Sequence, residues 1–210
     1  MKYIFIRHGK THFNEIGLKQ GWCDSPLTKE GIQQIEKMSQ LLKDEKITKA
    51  YTSPTLRAKQ TAQIILKEHD VLLHEDERLK EVNFGVLEGL PCSFVDTLHL
   101  ESPSWLDDLE MDYTSYQGEN IDDVIIRQQE VLKEIEKISN EEECIVVVGH
   151  GCSLYALIKT LLKDEKIALA NSKKGYLQPC DIWHLENKVK DVLSIGNQTG
   201  EGWFLTAEMI

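Results

Sequence analysis

Cys144-Ile145-Val146-Val147-Val148, followed at once by Gly149-His150-Gly151, is the stretch whose reading decides the fold. Five apolar residues in a row, four of them β-branched, are too few for a core helix and suit a strand buried on both faces. The glycines turn that strand into a helix expected to run through about Leu162. The same signature stands near the amino terminus, where Lys2-Tyr3-Ile4-Phe5-Ile6 runs into Arg7-His8-Gly9. Two strands of this kind belong in a sheet covered by helices.

The chain between them supplies those helices. Thr28 is placed to cap one with Ile32, Ile35, Met38, Leu41 and Leu42 at helical spacing. Ala50-Tyr51-Thr52 reads as a short strand. Ser53-Pro54 reads as a cap and first helical residue, opening a helix to about Glu68 that buries Ala58, Ala62, Ile65 and Leu66. Val71-Leu72-Leu73 reads as another strand. A helical period returns from Ile121 to Ile138, and strand-like runs occupy Leu177 to Leu185 and Lys188 to Ile195. Strands alternating with helices predict an α/β domain with a mainly parallel sheet. Ligands of such sheets bind beyond the carboxyl ends of the strands. Two strands here end in a histidine followed by glycine.

At 210 residues the chain is expected to form one domain. No apolar run reaches the roughly 18 residues of a membrane span, and Tyr3 to Ile6 is too short for an export signal. The expected location is the cytoplasm, with no membrane partner. Five cysteines without a C-x-x-C pair fit reduced thiols, and the seven histidines show no metal-ligand spacing. No metal and no cofactor is therefore expected. A net charge of −11 argues against nucleic acid as a partner. That charge is localised. From Glu81 to Ile126 there are eleven acids and no Lys or Arg, while the other 24 acids are balanced by 24 bases.

A neutral imidazole is a competent nucleophile toward phosphorus. A phosphoryl group in transfer spreads charge over three oxygens, which arginine meets with a planar, permanently charged fork. Arg7 adjoins His8, and Arg57 lies one turn into the helix opened by Ser53-Pro54, where the helix dipole also favours an anion. Arg7, His8, Arg57 and His150 thus outline a phosphate pocket.

The motifs carry a resemblance. Arg7-His8-Gly9-Lys10-Thr11-His12-Phe13-Asn14, Gly21 to Thr28 with Gly31, and Ser53-Pro54-Thr55-Leu56-Arg57-Ala58 with Thr61 come first. Glu81-Val82-Asn83-Phe84-Gly85, Glu88-Gly89, Gly118-Glu119 and Gly149-His150-Gly151 then follow in order. Together they resemble the histidine phosphatase superfamily, in its phosphoglycerate mutase-like branch. The resemblance implies a three-layer α/β/α sandwich around a mainly parallel sheet. It also implies a single domain over residues 1–210, with an acidic insertion at about 86–120 covering the active site. His8 would be the nucleophile that becomes phosphohistidine, and Glu81 the proton donor. Arg7, Asn14, Arg57 and His150 would hold the phosphate, helped by main-chain amides near Gln20-Gly21 and Gly151-Cys152. A Glu81 carboxyl beneath Leu79, Val82 and Phe84 is expected to be kept protonated by desolvation. Lys10, Leu87, Asn120 and Cys152 depart from the family pattern without touching these groups.

The expected function is a metal-independent phosphatase acting on a small phosphorylated metabolite, with a homodimer allowed. A cofactor-dependent phosphoglycerate mutase would share the nucleophile. Such mutases grip a second anionic group with extra bases after the acid residue, where this chain has none from Glu81 to Ile126. A non-catalytic phospholigand-binding protein is the third reading, disfavoured by the intact set of reactive residues. If the acidic segment faces the pocket, neutral or cationic esters should be preferred over doubly anionic ones.

Overall fold

The structure, a computed structural model, describes residues 1–101 and 110–161 together with the backbone of three later strands. Strands β1 (Lys2–Arg7) and β4 (Cys144–Gly149) lie side by side and parallel, with Lys2 opposite Cys144 and Arg7 opposite Gly149. All six residues of β4 are buried. On its other edge β4 pairs in parallel with β2 (Ile47–Thr52), and β2 with β3 (Leu73–Glu75). Strand β5 (Ile182–Glu186) runs antiparallel to β1. Strands β6 (Val192–Gly196) and β7 (Phe204–Glu208) complete the order β3-β2-β4-β1-β5-β7-β6. The sheet is mainly parallel, as expected.

Alternation along the central strands builds the layers, because successive side chains of a strand point to opposite faces. Tyr3, Phe5, Ile145 and Val147 pack with Val131, Leu132 and Ile135 of one helix and Leu154, Leu157 and Ile158 of another. These helices span Ile121–Lys137 and Gly151–Leu161. Ile4, Ile6, Val146 and Val148 face the other way. They meet Ile35, Met38 and Leu42 of the helix at Lys29–Leu42 and Ala58, Ala62 and Ile65 of the helix at Leu56–Ile65. This is the three-layer α/β/α sandwich. In chain order the helices are α1 (His12–Ile16), α2 (Lys29–Leu42), α3 (Leu56–Ile65), α4 (Cys92–Val95), α5 (Ile121–Lys137) and α6 (Gly151–Leu161).

Several boundaries differ from the sequence reading. The stretch between Gly9 and Pro26, to which the sequence reading assigns no element, contains α1, capped by Thr11 and closed by Gly17 in the left-handed conformation. Helix α3 starts two residues later than Ser53-Pro54 predicts. Its cap residue, Thr55, makes no side-chain capping bond, and the Leu56 amide donates to the Asp24 carboxylate instead. A cap supplied from 32 residues away leaves no local signal. Strand β3 begins only at Leu73, and Leu72 is exposed. Ile32, Leu41 and Ile138, placed on apolar stripes by spacing, are exposed, which narrows those faces. Strand β7 has no counterpart in the sequence reading, and β5 and β6 fall at the runs Leu177 to Leu185 and Lys188 to Ile195, whose remaining residues lie outside the described ones.

The acidic segment folds as short pieces around its own apolar cluster: Leu87, Val95, Met111, Tyr113 and Ile121 pack with Val82, Phe84 and Ala156. Phe94 is exposed, and Trp105 and Leu109 lie outside the described residues. Among the described residues no helix is long and apolar enough to cross a membrane.

Candidate active site

The pairing of β1 with β4 brings the two histidines together. Because Arg7 sits opposite Gly149, the next residues, His8 and His150, leave the sheet edge side by side. The His8 amide donates to the Gly149 carbonyl at 3.0 Å, and the rings meet edge to face at 5.2 Å between centroids. Both rings are buried.

Their hydrogen bonds assign the tautomers. His8 Nδ1 lies 2.8 Å from the Gly9 carbonyl, which only accepts, so Nδ1 carries the proton. Nε2 then holds the lone pair. In His150 the order is reversed. Arg57 Nη2 donates to Nδ1 at 3.1 Å, which leaves the proton on Nε2, 3.4 Å from the Thr55 hydroxyl. Burial first, then the Arg57 charge, holds both rings well below the ordinary value of 6.5. Arg7 adds to this at both rings, and His8 adds to it at His150. Both imidazoles are neutral at neutral pH.

That neutrality has a cost in acid. An unfolded histidine takes up its proton near pH 6.5, whereas these two resist it, so below that pH the unfolded chain binds more protons. Stability is therefore expected to fall as pH drops from about 6.5 towards the folded values. Each ring contributes up to ~1.4 kcal/mol per pH unit. Urea midpoints at pH 7 and pH 5.5 check it. A His8→Gln variant should lose close to half of the histidine-linked slope, and an unchanged slope would overturn the assignment.

Arg57, the second residue of α3 and not one turn into it, is wholly buried. Nη1 donates to the Cys23 carbonyl at 2.8 Å and to Asp24 Oδ1 at 3.1 Å. Nη2 donates to the Gly21 carbonyl at 2.6 Å besides His150. Four of its five N–H groups are thus used, and Nε is buried with no partner among the described residues. Gly21 is closed to any side chain, since a Cβ there would lie 2.4 Å from the Val82 carbonyl oxygen. At Gly151 a Cβ would press on the Arg7 guanidinium carbon at 3.1 Å, so the missing side chain is what lets Arg7 lie across the start of α6.

Thr11, fully buried, orients two amides. Its N–H donates to Asn14 Oδ1 at 3.1 Å and its hydroxyl to Gln20 Oε1 at 2.7 Å. With both oxygens occupied, Asn14 and Gln20 have their NH₂ groups to offer. Gln20 Nε2 is buried and unpartnered among the described residues. Donors with nothing to donate to are what an anion site requires.

Glu81 is 6% exposed. Its Oε1 accepts from the Val82 amide at 3.0 Å and the Ser153 amide at 2.8 Å, and Oε2 from the Cys152 amide at 3.1 Å. This changes one expectation. The Cys152 amide is spent on Glu81 and is not available to the phosphate pocket. Two of the three donors, the Cys152 and Ser153 amides, stand at the start of α6, and the third is the adjacent Val82 amide. Burial, then the Glu81 charge, pushes the Cys152 thiol well up, so that group stays protonated.

The acidic segment mostly holds loops. Glu88 Oε1 accepts from the Trp22 and Phe84 amides at 2.8 and 3.2 Å. Glu101 pairs with Lys19 at 2.6 Å and accepts from the Tyr113 hydroxyl, while Lys19 rests over the Phe84 ring. Lys10 pairs with Glu30. Sequence reasoning gave no role to Glu88, Glu119 or Arg127. Arg127 left no signal of its own, since the polar residue inside the buried stripe of α5 is Gln128 and Arg127 lies at the edge of that stripe.

Comparison with known proteins gives the family and the fold. Residues 3–189 match the model of the histidine phosphatase superfamily (branch 1). The probable phosphoglycerate mutase GpmB of Serratia proteamaculans is 32% identical over 199 residues, covering 93% of this chain and 89% of the relative. A phosphoserine phosphatase from Entamoeba histolytica, solved in complex with 3-phosphoglyceric acid, is 31% identical. It has a TM-score of 0.69 and covers 87% of this chain and 89% of its own. A phosphoglycerate mutase from Bacillus anthracis is 25% identical, with a TM-score of 0.70, 100% of this chain covered and 92% of its own. The family match begins at Tyr3 in β1 and runs past His150, taking in both strand ends and every motif between them. The chain belongs to the histidine phosphatase superfamily.

Proposed function

We propose that the protein is a metal-independent phosphatase of small phosphate monoesters working through phosphohistidine at His8. The observation that carries this is the buried pair of neutral histidines, in which only His8 has a ring lone pair with no protein donor on it among the described residues. His8 Nε2 attacks phosphorus, the P–N bond forms and the bond to the ester oxygen breaks. Arg7, Arg57, Asn14, Gln20 and His150, with main-chain N–H groups near Gly21 and Gly151, hold the phosphoryl oxygens and take up their charge. Glu81 passes a proton to the departing oxygen. Its Oε1 already accepts twice and Oε2 once, so the open position on Oε2 is the one that carries this proton. Water then attacks phosphorus, Glu81 takes its proton, the P–N bond breaks and phosphate leaves.

Hydrolysis is favoured over mutation of phosphoglycerate by charge. A mutase must hold a second anionic group, but Glu81 to Ile126 has no base, and Lys10 and Lys19 are already paired with Glu30 and Glu101. In this reading the leaving group lies against the segment at about 86–120, a position supported by the packing of its apolar cluster on Val82 and Cys152, the neighbours of Glu81 in sequence and in space. The mutase reading draws on the name of the Serratia relative and is decided by one assay. A panel of esters is turned over in excess chelator, with 3-phosphoglycerate supplied with and without its bisphosphate. Release of inorganic phosphate that survives chelator and needs no bisphosphate is expected. Isomerisation that appears only with bisphosphate would establish the mutase, and activity restored only by a divalent ion would overturn the metal-independent mechanism.

A further inference from the structure

We propose that Arg127, locked by Glu119, is the positioning residue that sets Glu81 for proton transfer; this rests on Glu81 being the proton donor. All five N–H groups of Arg127 are used. Nη1 donates to the carbonyls of Arg78 and Lys80 at 2.6 and 2.8 Å. Nη2 donates to the Glu81 carbonyl at 2.8 Å and to Glu119 Oε2 at 3.0 Å, and Nε to Glu119 Oε1 at 3.0 Å. Glu119 Oε2 also accepts from the Asn83 amide at 2.9 Å. One ion pair therefore grips the main chain on both sides of Glu81. Trp22 Nε1 adds a second donor to the Glu81 carbonyl at 3.0 Å.

The consequence is geometric. The Glu81 backbone is fixed from α5, through Arg127, while its carboxyl is fixed from α6, through the Cys152 and Ser153 amides. A proton donor acts only within hydrogen-bond reach of the departing oxygen, and a small displacement removes it. The Arg127 charge also helps to keep His150 neutral, but β1 and β4 hold His8 and His150 in place without this clamp. Loss of Arg127 should therefore damage protonation of the leaving group more than attack by His8. Lysine cannot replace it, because one ammonium cannot span three carbonyls and a carboxylate.

The test compares kcat/KM, which reports phosphoenzyme formation, for p-nitrophenyl phosphate and for a simple alkyl phosphate. The nitrophenolate leaves without help, whereas an alkoxide needs the proton. The alkyl-to-aryl ratio does not depend on how much of a variant is folded, so a purely structural role leaves it unmoved. Arg127→Met is expected to lower that ratio about 30-fold or more, within the roughly 10²–10⁴-fold worth of general acid catalysis. Arg127→Lys and Glu119→Gln should lower it in the same direction, and they serve if Arg127→Met does not fold. Glu81→Gln is the control. If it leaves the ratio unchanged, Glu81 is not the proton donor and the functional reading fails. If it lowers the ratio while the Arg127 and Glu119 variants do not, the positioning role alone is overturned. Adding Arg127→Met to Glu81→Gln should lower the ratio no further, and a further drop would also overturn it.

Discussion

Replacing His8 with Ala is expected to reduce turnover by about 10⁴-fold or more, the usual scale for removing a nucleophile whose partners act as a unit. Rapid quench of the parent with ester labelled at phosphorus should trap an acid-labile phosphoenzyme, and the variant should give none. The label should fall on His8 because of a hydrogen-bond detail. His150 has its lone pair occupied by Arg57 Nη2 and its proton turned to Thr55, whereas His8 turns its proton to Gly9 and its lone pair outward. The fold should survive. Strand β1 keeps its parallel pairing with β4, and what is lost is the edge contact with the His150 ring and one bond to a neighbouring carbonyl, the latter worth about 0.5–1.5 kcal/mol net. Full activity in the variant would defeat the mechanism. A phosphoenzyme labelled at His150 would exchange the two roles.

Arg57→Met should lose activity and stability together, which sets it apart from His8→Ala. Four bonds go at once: those to the Gly21 and Cys23 carbonyls, to Asp24 and to His150. Asp24 is exposed, so the cost falls on the Gly21 and Cys23 carbonyls and on His150, which lose their donor. Each buried acceptor left unpaired costs roughly 1–3 kcal/mol, and together they lower the melting temperature by about 10 °C in a chain of this size. His150 also loses the donor that fixes its tautomer, and the phosphoryl oxygens lose a permanent charge. Turnover should fall about 10³-fold or more even at temperatures where the variant is folded. Arg57→Lys should recover little, because an ammonium cannot reach both carbonyls and the imidazole from one stem. Urea unfolding and steady-state kinetics on the same preparations check both halves. Near-parental stability in Arg57→Met would show that the 20s loop is held without this residue.

The lesson of Arg57 is that a residue legible as chemistry was also architecture. Its place after Ser53-Pro54 pointed to an anion, and nothing local pointed to the carbonyls of Gly21 and Cys23. The same holds for Cys152. The family resemblance put its amide at the phosphate, but the fold turns that amide to Glu81, 71 residues away. Arg127 was hidden for the same reason: apart from Glu119 its partners are carbonyls, which carry no identity in a sequence.

What the sequence alone determined was the α/β plan with its mainly parallel sheet and the two strand ends that carry His8 and His150. Short β-branched runs, helical spacing and glycine punctuation act over a few residues and are read directly. Tertiary structure alone decided which histidine has its lone pair free, where α3 is capped, and which acids meet an amide or a base. Those outcomes depend on the register of β1 against β4 and on contacts tens of residues apart. A histidine's tautomer is chosen by the partner of its other nitrogen, and that partner comes into place only when the chain has folded.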